Sequence, residues 1–86
     1  MKKIIGILRP FSLEQSFYVF EDGNKIDSVE LTINEINDVI FNFIDKYDIH
    51  QIDLSGPKQY SKGIAEKIKQ GEMTKYNNNS IIINLI

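Results

Sequence analysis

Residues 16–31, SFYVFEDGNKIDSVEL, decide the fold of this 86-residue chain. The stretch opens with aromatic and β-branched residues, which favour a strand, and its DG pair supplies the backbone freedom of a tight turn. A second β-prone segment, residues 25–31, follows at once, so the stretch predicts a β-hairpin. The apolar run at residues 2–8, KKIIGIL, predicts a strand before the hairpin, ended by Pro10.

The segment after the hairpin predicts a helix. Thr32 and Glu35 have the spacing of a capping box, and Leu31 precedes it as an apolar staple residue. Apolar residues then recur every three or four positions, as on the buried face of a helix. This stripe consists of Ile36, Val39, Ile40, Phe43, Ile44 and Tyr47.

The remainder predicts a strand, a helix and a strand. Residues 49–54 form an apolar segment that Ser55-Gly56-Pro57 ends, and residues 61–70 predict a helix that Gly71 follows as C′ residue. The apolar run at 80–86, SIIINLI, predicts a strand buried on both faces.

The predicted order is β-β-β-α-β-α-β in one domain, residues 1–86. Right-handed crossovers make strands one, four and five parallel, with strand two antiparallel beside strand one. This is an α/β fold with a five-stranded mixed sheet and two helices.

Composition argues against several functions. Ten basic and twelve acidic residues give a net charge of -2, which disfavours nucleic-acid binding because phosphate neutralisation needs a basic excess. The chain has no cysteine and one histidine, His50, so we expect no cofactor and no metal. No apolar run reaches the roughly 18–20 residues of a membrane span, and the opening is too short for a signal peptide. We therefore expect a cytoplasmic protein without membrane contact.

Isoleucine, asparagine and lysine dominate, and alanine occurs once, at Ala65. This usage is typical of AT-rich coding sequence. It fits a phage-encoded chain, which would act in the virion or the host cytoplasm.

The order of elements, with IIGILRP followed by SFYVFEDGNKI and later KYDIHQIDLSGPKQYSKG, resembles the RuvC and YqgF branch of the ribonuclease H-like superfamily. That resemblance implies the same sheet and a metal-dependent nuclease site. The family's first-strand aspartate falls near Leu8 or Arg9, and its fourth-strand acidic position falls near Ser55, with Asp53 close by. Two-metal chemistry needs clustered carboxylates, so the resemblance implies the fold without the catalytic acids.

The opening, residues 1–15, also resembles that of the nitrogen-regulatory signal-transduction trimers. Those proteins continue into a helix, whereas residues 16–21 here predict a strand.

The loop after the fourth strand is the candidate ligand site. It joins the end of a strand to the start of a helix, where α/β sheets bind ligands and where backbone N–H groups favour an anion. Arg9 is expected beside it, because strands one and four are neighbours. An ordinary connecting loop is the competing interpretation. The candidate ligand residues are Arg9, Ser55, Gly56, Lys58, Ser61 and Lys62.

Strand two and the last strand carry apolar side chains on both faces, which two short helices cannot cover completely. A terminal strand that is apolar on both faces is either central and covered or an edge that pairs with another copy, so we expect a protein partner or a homo-oligomer. A compact monomer with modest apolar exposure is the competing interpretation. The candidate interface residues are Phe17, Tyr18, Phe20, Ile82, Leu85 and Ile86.

The leading hypothesis is a non-enzymatic interaction or structural module. The alternatives are an anion, nucleotide or nucleic-acid binding protein that uses the strand-four loop, and a metal-dependent nuclease with Asp53 as its acidic ligand.

Overall fold

The computed structural model describes residues 3–11 and 14–86, and Lys2, where the predicted first strand begins, lies outside them. The elements of the described chain are β1 (Ile4–Phe11), β2 (Glu14–Glu21), β3 (Asn24–Thr32), a 3₁₀ turn (Ile33–Glu35), α1 (Ile36–Tyr47), β4 (Gln51–Leu54), α2 (Lys58–Tyr76) and β5 (Ile82–Leu85). The predicted α/β class and order of elements are confirmed.

The strands form one mixed sheet in the order β3-β2-β1-β4-β5. The pairs β1–β2 and β2–β3 are antiparallel, and the pairs β1–β4 and β4–β5 are parallel, as predicted for strands one, two, four and five. Strands β3, β4 and β5 therefore run in the same direction, and the two helical crossovers step across the sheet in the same sense. Right-handed connections then require α1 and α2 to lie on the same face.

Local sequence signals produce the hairpin and the first helix. Asp22 and Gly23 have φ values of 51° and 88°, which the tight turn between β2 and β3 requires. At the start of the 3₁₀ turn that leads into α1, the N–H of Thr32 donates to Glu35 Oε1 at 3.0 Å, and its hydroxyl donates to the same oxygen at 2.8 Å. The predicted capping box is present.

The core lies between the sheet and both helices. Phe17 is fully buried at its centre, and its ring lies 5.7 Å from that of Phe43 on α1. A Cβ on Gly6 of the neighbouring strand would lie 2.5 Å from Phe17 Cζ. The glycine therefore makes room for the aromatic ring, which no larger residue at that position would do.

The first strand does not end at Pro10. It continues to Phe11, with Pro10 opposite Gln15 of β2. Strand β4 stops opposite Leu8, so beyond this point β1 has a neighbour on one side only. A proline, which has no N–H, is tolerated at such an edge.

The second helix is longer than predicted. It begins at Lys58 instead of residue 61 and ends at Tyr76 instead of residue 70. Asn77, the residue after Tyr76, is the C-cap and adopts a left-handed conformation. Gly71 is therefore not a C′ residue but lies inside the helix. A Cβ there would come within 2.6 Å of Phe41 Cε2, so the glycine allows α2 to pack closely against α1.

The last strand is not buried on both faces. Strand β5 lies at the edge of the sheet, with β4 as its neighbour. Ile82 and Ile86 are 57% and 65% exposed. Of the two expected positions, a covered central strand or an edge, this strand takes the edge.

We predict that Gly6→Ala destabilises the protein by about 1–3 kcal/mol, because the added methyl group overpacks a core in which Phe17 cannot move outward. Urea unfolding followed by circular dichroism measures the change. Gly63→Ala is the matched control, since a Cβ there meets nothing within 4 Å in α2, and it should stabilise by about 0.5–1 kcal/mol. Equal stability of the two variants would contradict this account of Gly6.

Candidate functional site

The sheet face opposite α1 and α2 is uncovered in the described part of the chain. In β1, Gly6 and Leu8 are buried under the helices, whereas Ile5 and Ile7 are partly exposed on the other side. The same alternation holds in β2 and β4. We call this surface the open face; it comprises odd-numbered residues within 5–9 and 51–55 and even-numbered residues within 16–20 and 82–86.

The centre of the open face is apolar. Ile5 lies opposite Phe20, and Ile7 lies opposite Tyr18. Parallel strands are commonly buried on both faces, so an uncovered face on β1, β4 and β5 is unusual. This surface is available to another molecule.

A polar strip crosses β4 and β5 on the open face. Asp53 Oδ1 accepts hydrogen bonds from Gln51 Nε2 and Asn84 Nδ2, both at 3.1 Å. Asp53 and Ser55 share the face, as strand alternation predicts. The Asp53 carboxylate is therefore engaged by two side-chain amides, and this carboxylate was the proposed ligand of the nuclease hypothesis.

A cleft of about 510 Å³ lies at one end of the open face. It brings together Arg9 and Ser55, as predicted from neighbouring strands. Lys25 joins them, with its Nζ 5.5 Å from the centre of the Tyr18 ring. The cleft is lined by Ile7, Arg9, Tyr18, Phe20, Lys25, Ser55 and Ile86.

The other predicted ligand residues do not line this cleft. Lys58 and Lys62 are exposed on the first turns of α2, and Gly56 is partly buried in the loop before it. Ser61 is fully buried, and its N–H donates to the Pro57 carbonyl at 2.9 Å. Its hydroxyl faces the core. Of the six predicted ligand residues, Arg9 and Ser55 therefore lie on the open face, whereas the others lie on α2 or in the loop before it.

The predicted interface residues also divide. Phe17 lies in the core with no exposed surface, so it is not accessible to a partner. Tyr18, Phe20, Ile82 and Ile86 belong to the open face. Leu85 pairs with buried Leu54 and is exposed because it lies on the edge strand.

The two edges of the sheet differ in character. The β3 edge carries Lys25, Asp27 and Glu30, and its pairing with β2 is irregular next to Phe20. Charges and irregular pairing discourage the addition of another strand. The β5 edge, residues 82–85, has no charged residue, no proline and no register shift. We call it the free edge.

Buried Glu72 of α2 fixes the start of the free edge. Its Oε2 accepts the N–H groups of Ser80 and Ile81, each at 2.9 Å, and its Oε1 accepts from Lys69 Nζ at 3.0 Å. Burial raises the pKa of Glu72, but the hydrogen bonds from Ile81, Lys69 and Ser80 outweigh it and hold the pKa below its ordinary value. Sequence reasoning missed this residue, because a single glutamate on a thin helical stripe carries no signal.

Two further acidic residues, Asp45 and Asp48, make local contacts. Asp45 accepts hydrogen bonds from Tyr76 and Lys75 of α2, and the pKa of its carboxyl is lowered, first by the Tyr76 bond and then by Lys75. His50 Nε2 lies 3.2 Å from Asp48 at an exposed position. Across residues 3–11 and 14–86, no group of three or more histidine or carboxylate side chains could hold a metal ion.

No helix in the described part of the chain is long and apolar enough to cross a membrane.

Comparison with known proteins gives a fold but no family. No protein-family model matches the chain, and no curated protein matches its sequence. A Bacteroides thetaiotaomicron protein with an actin-like ATPase fold and unknown function is similar over 98% of this chain and 32% of its own, with a TM-score of 0.70 and 8% identity. An Aquifex aeolicus member of the Ppx/GppA family is similar over 100% and 35%, with a TM-score of 0.55 and 11% identity.

The chain thus spans about one third of the length of these neighbours. At such low identity they show the fold alone. The resemblance to the ribonuclease H-like superfamily predicted the mixed sheet, but the Bacteroides thetaiotaomicron neighbour is described as having an actin-like ATPase fold and the other as a Ppx/GppA family member.

We predict that Glu72→Gln lowers the stability at pH 7 by about 2 kcal/mol, because it weakens charge-assisted hydrogen bonds to a buried carboxylate. The folded pKa lies below the unfolded one, so this stabilisation is present at neutral pH and is lost as the pH falls below about 5. The variant should therefore lose less stability on acidification than the wild type. Urea unfolding between neutral and acidic pH measures the difference.

Glu66→Gln is the control, because Glu66 lies exposed on the same helix. Asp27, Glu35 and Asp45 also have lowered pKa values, so all three proteins lose some stability in acid. A pH dependence in Glu72→Gln as steep as in Glu66→Gln would contradict the role given to Glu72.

Proposed function

We propose that this chain is a non-enzymatic interaction module that associates with a second copy of itself through the free edge and the open-face side chains beside it. The observation that carries the proposal is the position of its exposed apolar side chains. In the described residues the exposed large apolar side chains are Ile26, Met73, Ile82, Leu85 and Ile86. Three of these five lie on or beside the free edge.

The absence of charged side chains along the free edge also favours contact with a second copy. The last six residues, 81–86, carry no charged side chain, so two copies meet there without like-charge repulsion. Ile82 and Ile86 of the open face adjoin this edge and are exposed, and the removal of their apolar area from water drives association.

A non-enzymatic role is supported by the surroundings of Asp53. Two-metal phosphoryl transfer requires clustered carboxylates that hold cations about 4 Å apart. The side chains that bond to Asp53 are the amides of Gln51 and Asn84, not carboxylates. The positions near which the resemblance places catalytic acids hold Leu8, Arg9 and Ser55.

We predict that the wild-type protein elutes from a sizing column at a multiple of 10.0 kDa, measured by light scattering, without excess absorbance at 260 nm. Ile82→Glu should shift it toward the monomer, because it places a charge in the apolar contact. Met73→Glu is the matched control, since Met73 is 51% exposed on α2, away from the open face. A monomeric wild type at the highest soluble concentration would refute the proposal, and co-eluting nucleic acid would point to a different partner.

Binding of an anion is a second candidate, supported by the cleft that Arg9, Lys25 and Ser55 share. Two cationic side chains next to an aromatic and aliphatic surface suit an anion with a flat apolar part, such as a nucleotide. This cleft differs from the loop site predicted from sequence in that Lys58 and Lys62 do not line it.

We predict, if this candidate holds, that Arg9→Gln weakens the binding of ATP at least about tenfold, the cost of one charge-assisted hydrogen bond. Calorimetric titration with ATP and with inorganic phosphate measures it. The double variant Lys58→Gln, Lys62→Gln should bind as the wild type does. If the double variant binds ATP more weakly and Arg9→Gln does not, the anion site is the loop after β4. If the wild type binds neither ATP nor phosphate, this candidate function is refuted.

A further inference from the structure

The backbone groups along the free edge are divided between those already bonded and those that point outward. The N–H of Ile82 donates to the His50 carbonyl at 2.8 Å, and the N–H of Ile86 donates to the Leu54 carbonyl at 3.0 Å. These groups point toward β4. Because backbone groups alternate between the two sides of a strand, the N–H and C=O groups of Ile83 and Leu85 point away from the sheet.

The backbone groups of Ile81 lie on the same side of the strand as those of Ile83, but they already have hydrogen-bond partners within the chain. Its N–H donates to Glu72 Oε2 at 2.9 Å, and its carbonyl accepts from Lys69 Nζ at 2.6 Å. Two donors and two acceptors, on Ile83 and Leu85, therefore remain for another strand.

The side chains of this segment are arranged symmetrically. Residues 82–86 read Ile-Ile-Asn-Leu-Ile, with two apolar residues on each side of Asn84. In an antiparallel pair of strands, residues directly opposite each other project from the same face. A second copy of the segment, centred on Asn84, places Ile82 opposite Ile86 on the open face and Ile83 opposite Leu85 on the helix face.

We infer that two copies of this chain pair along β5 as antiparallel strands, with the two-fold axis between their Asn84 residues. This inference rests on the proposed self-association and specifies its contact. In this register Ile83 of each copy exchanges two backbone hydrogen bonds with Leu85 of the other, so all four outward groups of each copy are satisfied.

The neighbouring register is excluded by the Glu72 contact. Centring the pair on Ile83 would place Ile81 opposite Leu85 and would require the N–H and C=O of Ile81. Both groups are already bonded within the chain. That register would also set exposed Ile82 opposite the polar Asn84.

A contact of four hydrogen bonds and a few apolar pairs is small compared with interfaces that bury about 1,200–2,000 Å². The dimer therefore dissociates on dilution, and a covalent trap is the appropriate probe.

The test is a disulfide at the symmetry axis. The chain has no cysteine, so Asn84→Cys introduces one thiol. Asn84 and its copy form a non-hydrogen-bonded pair with Cα atoms about 4.5 Å apart, which is within disulfide range. We expect mild oxidation to convert most of this variant to a covalent dimer.

Ile82→Cys is the control for random collision. In this register Ile82 and its copy lie four residues apart along the strands, about 13 Å, which is beyond disulfide reach. We expect it to link at least about tenfold less, since the two thiols cannot meet within the dimer. Ile83→Cys linking faster than Asn84→Cys would overturn the register.

Leu85→Pro provides a second measurement that is independent of cysteine. It removes an outward N–H that the single copy does not use, so circular dichroism should show an unchanged fold. The dimer loses two hydrogen bonds by symmetry, which raises its dissociation constant at least about tenfold, whereas Leu85→Val leaves it nearly unchanged.

If the wild type associates but Asn84→Cys does not link and Leu85→Pro still associates, the β5 contact is refuted and the proposed function stands. If the wild type does not associate, the proposed function and this inference both fail.

Discussion

The position of both crossover helices on one face of the sheet determines the rest of this structure. With the strand order β3-β2-β1-β4-β5, the connections β3–α1–β4 and β4–α2–β5 both join parallel strands and both step in the same direction. Right-handed crossovers then place both helices on the same side. The packed core on that side and the uncovered open face on the other follow from this one-sided arrangement.

Much of the fold could be predicted because its signals are local. The DG pair sets the turn geometry, and the Thr32–Glu35 capping box with its apolar stripe sets α1. These features depend on a few neighbouring residues, so they survive without knowledge of the tertiary structure. Pro10 and Gly71 were misinterpreted because their meaning is set by distant elements. The length of β4 makes Pro10 tolerable, and the closeness of Phe41 requires glycine at 71.

The residues of the open face and its cleft were predicted less completely than the fold. The reason is that strand alternation alone does not show which face of a strand is buried. Strand β2 carries aromatic residues on both faces, so the pattern does not reveal which face enters the core. The neighbouring strand decides this, because Gly6 leaves space for the Phe17 ring and thereby turns Tyr18 and Phe20 to the open face. Arg9 and Ser55 were correctly placed together, since that required only neighbouring strands. Ser61 was misplaced because the helix begins three residues earlier and turns its hydroxyl inward.

The two edges of the sheet show why an apolar final strand need not be a central one. At β3 the chain places charged residues and an irregular pairing, which discourage the addition of a further strand. At β5 it places an uncharged segment and uses Glu72 and Lys69 to occupy the backbone of Ile81. These two hydrogen bonds leave only the backbone groups of Ile83 and Leu85 available to another strand. A short edge with one symmetric arrangement of apolar residues selects among registers, whereas a long apolar edge would accept many and lead to aggregation.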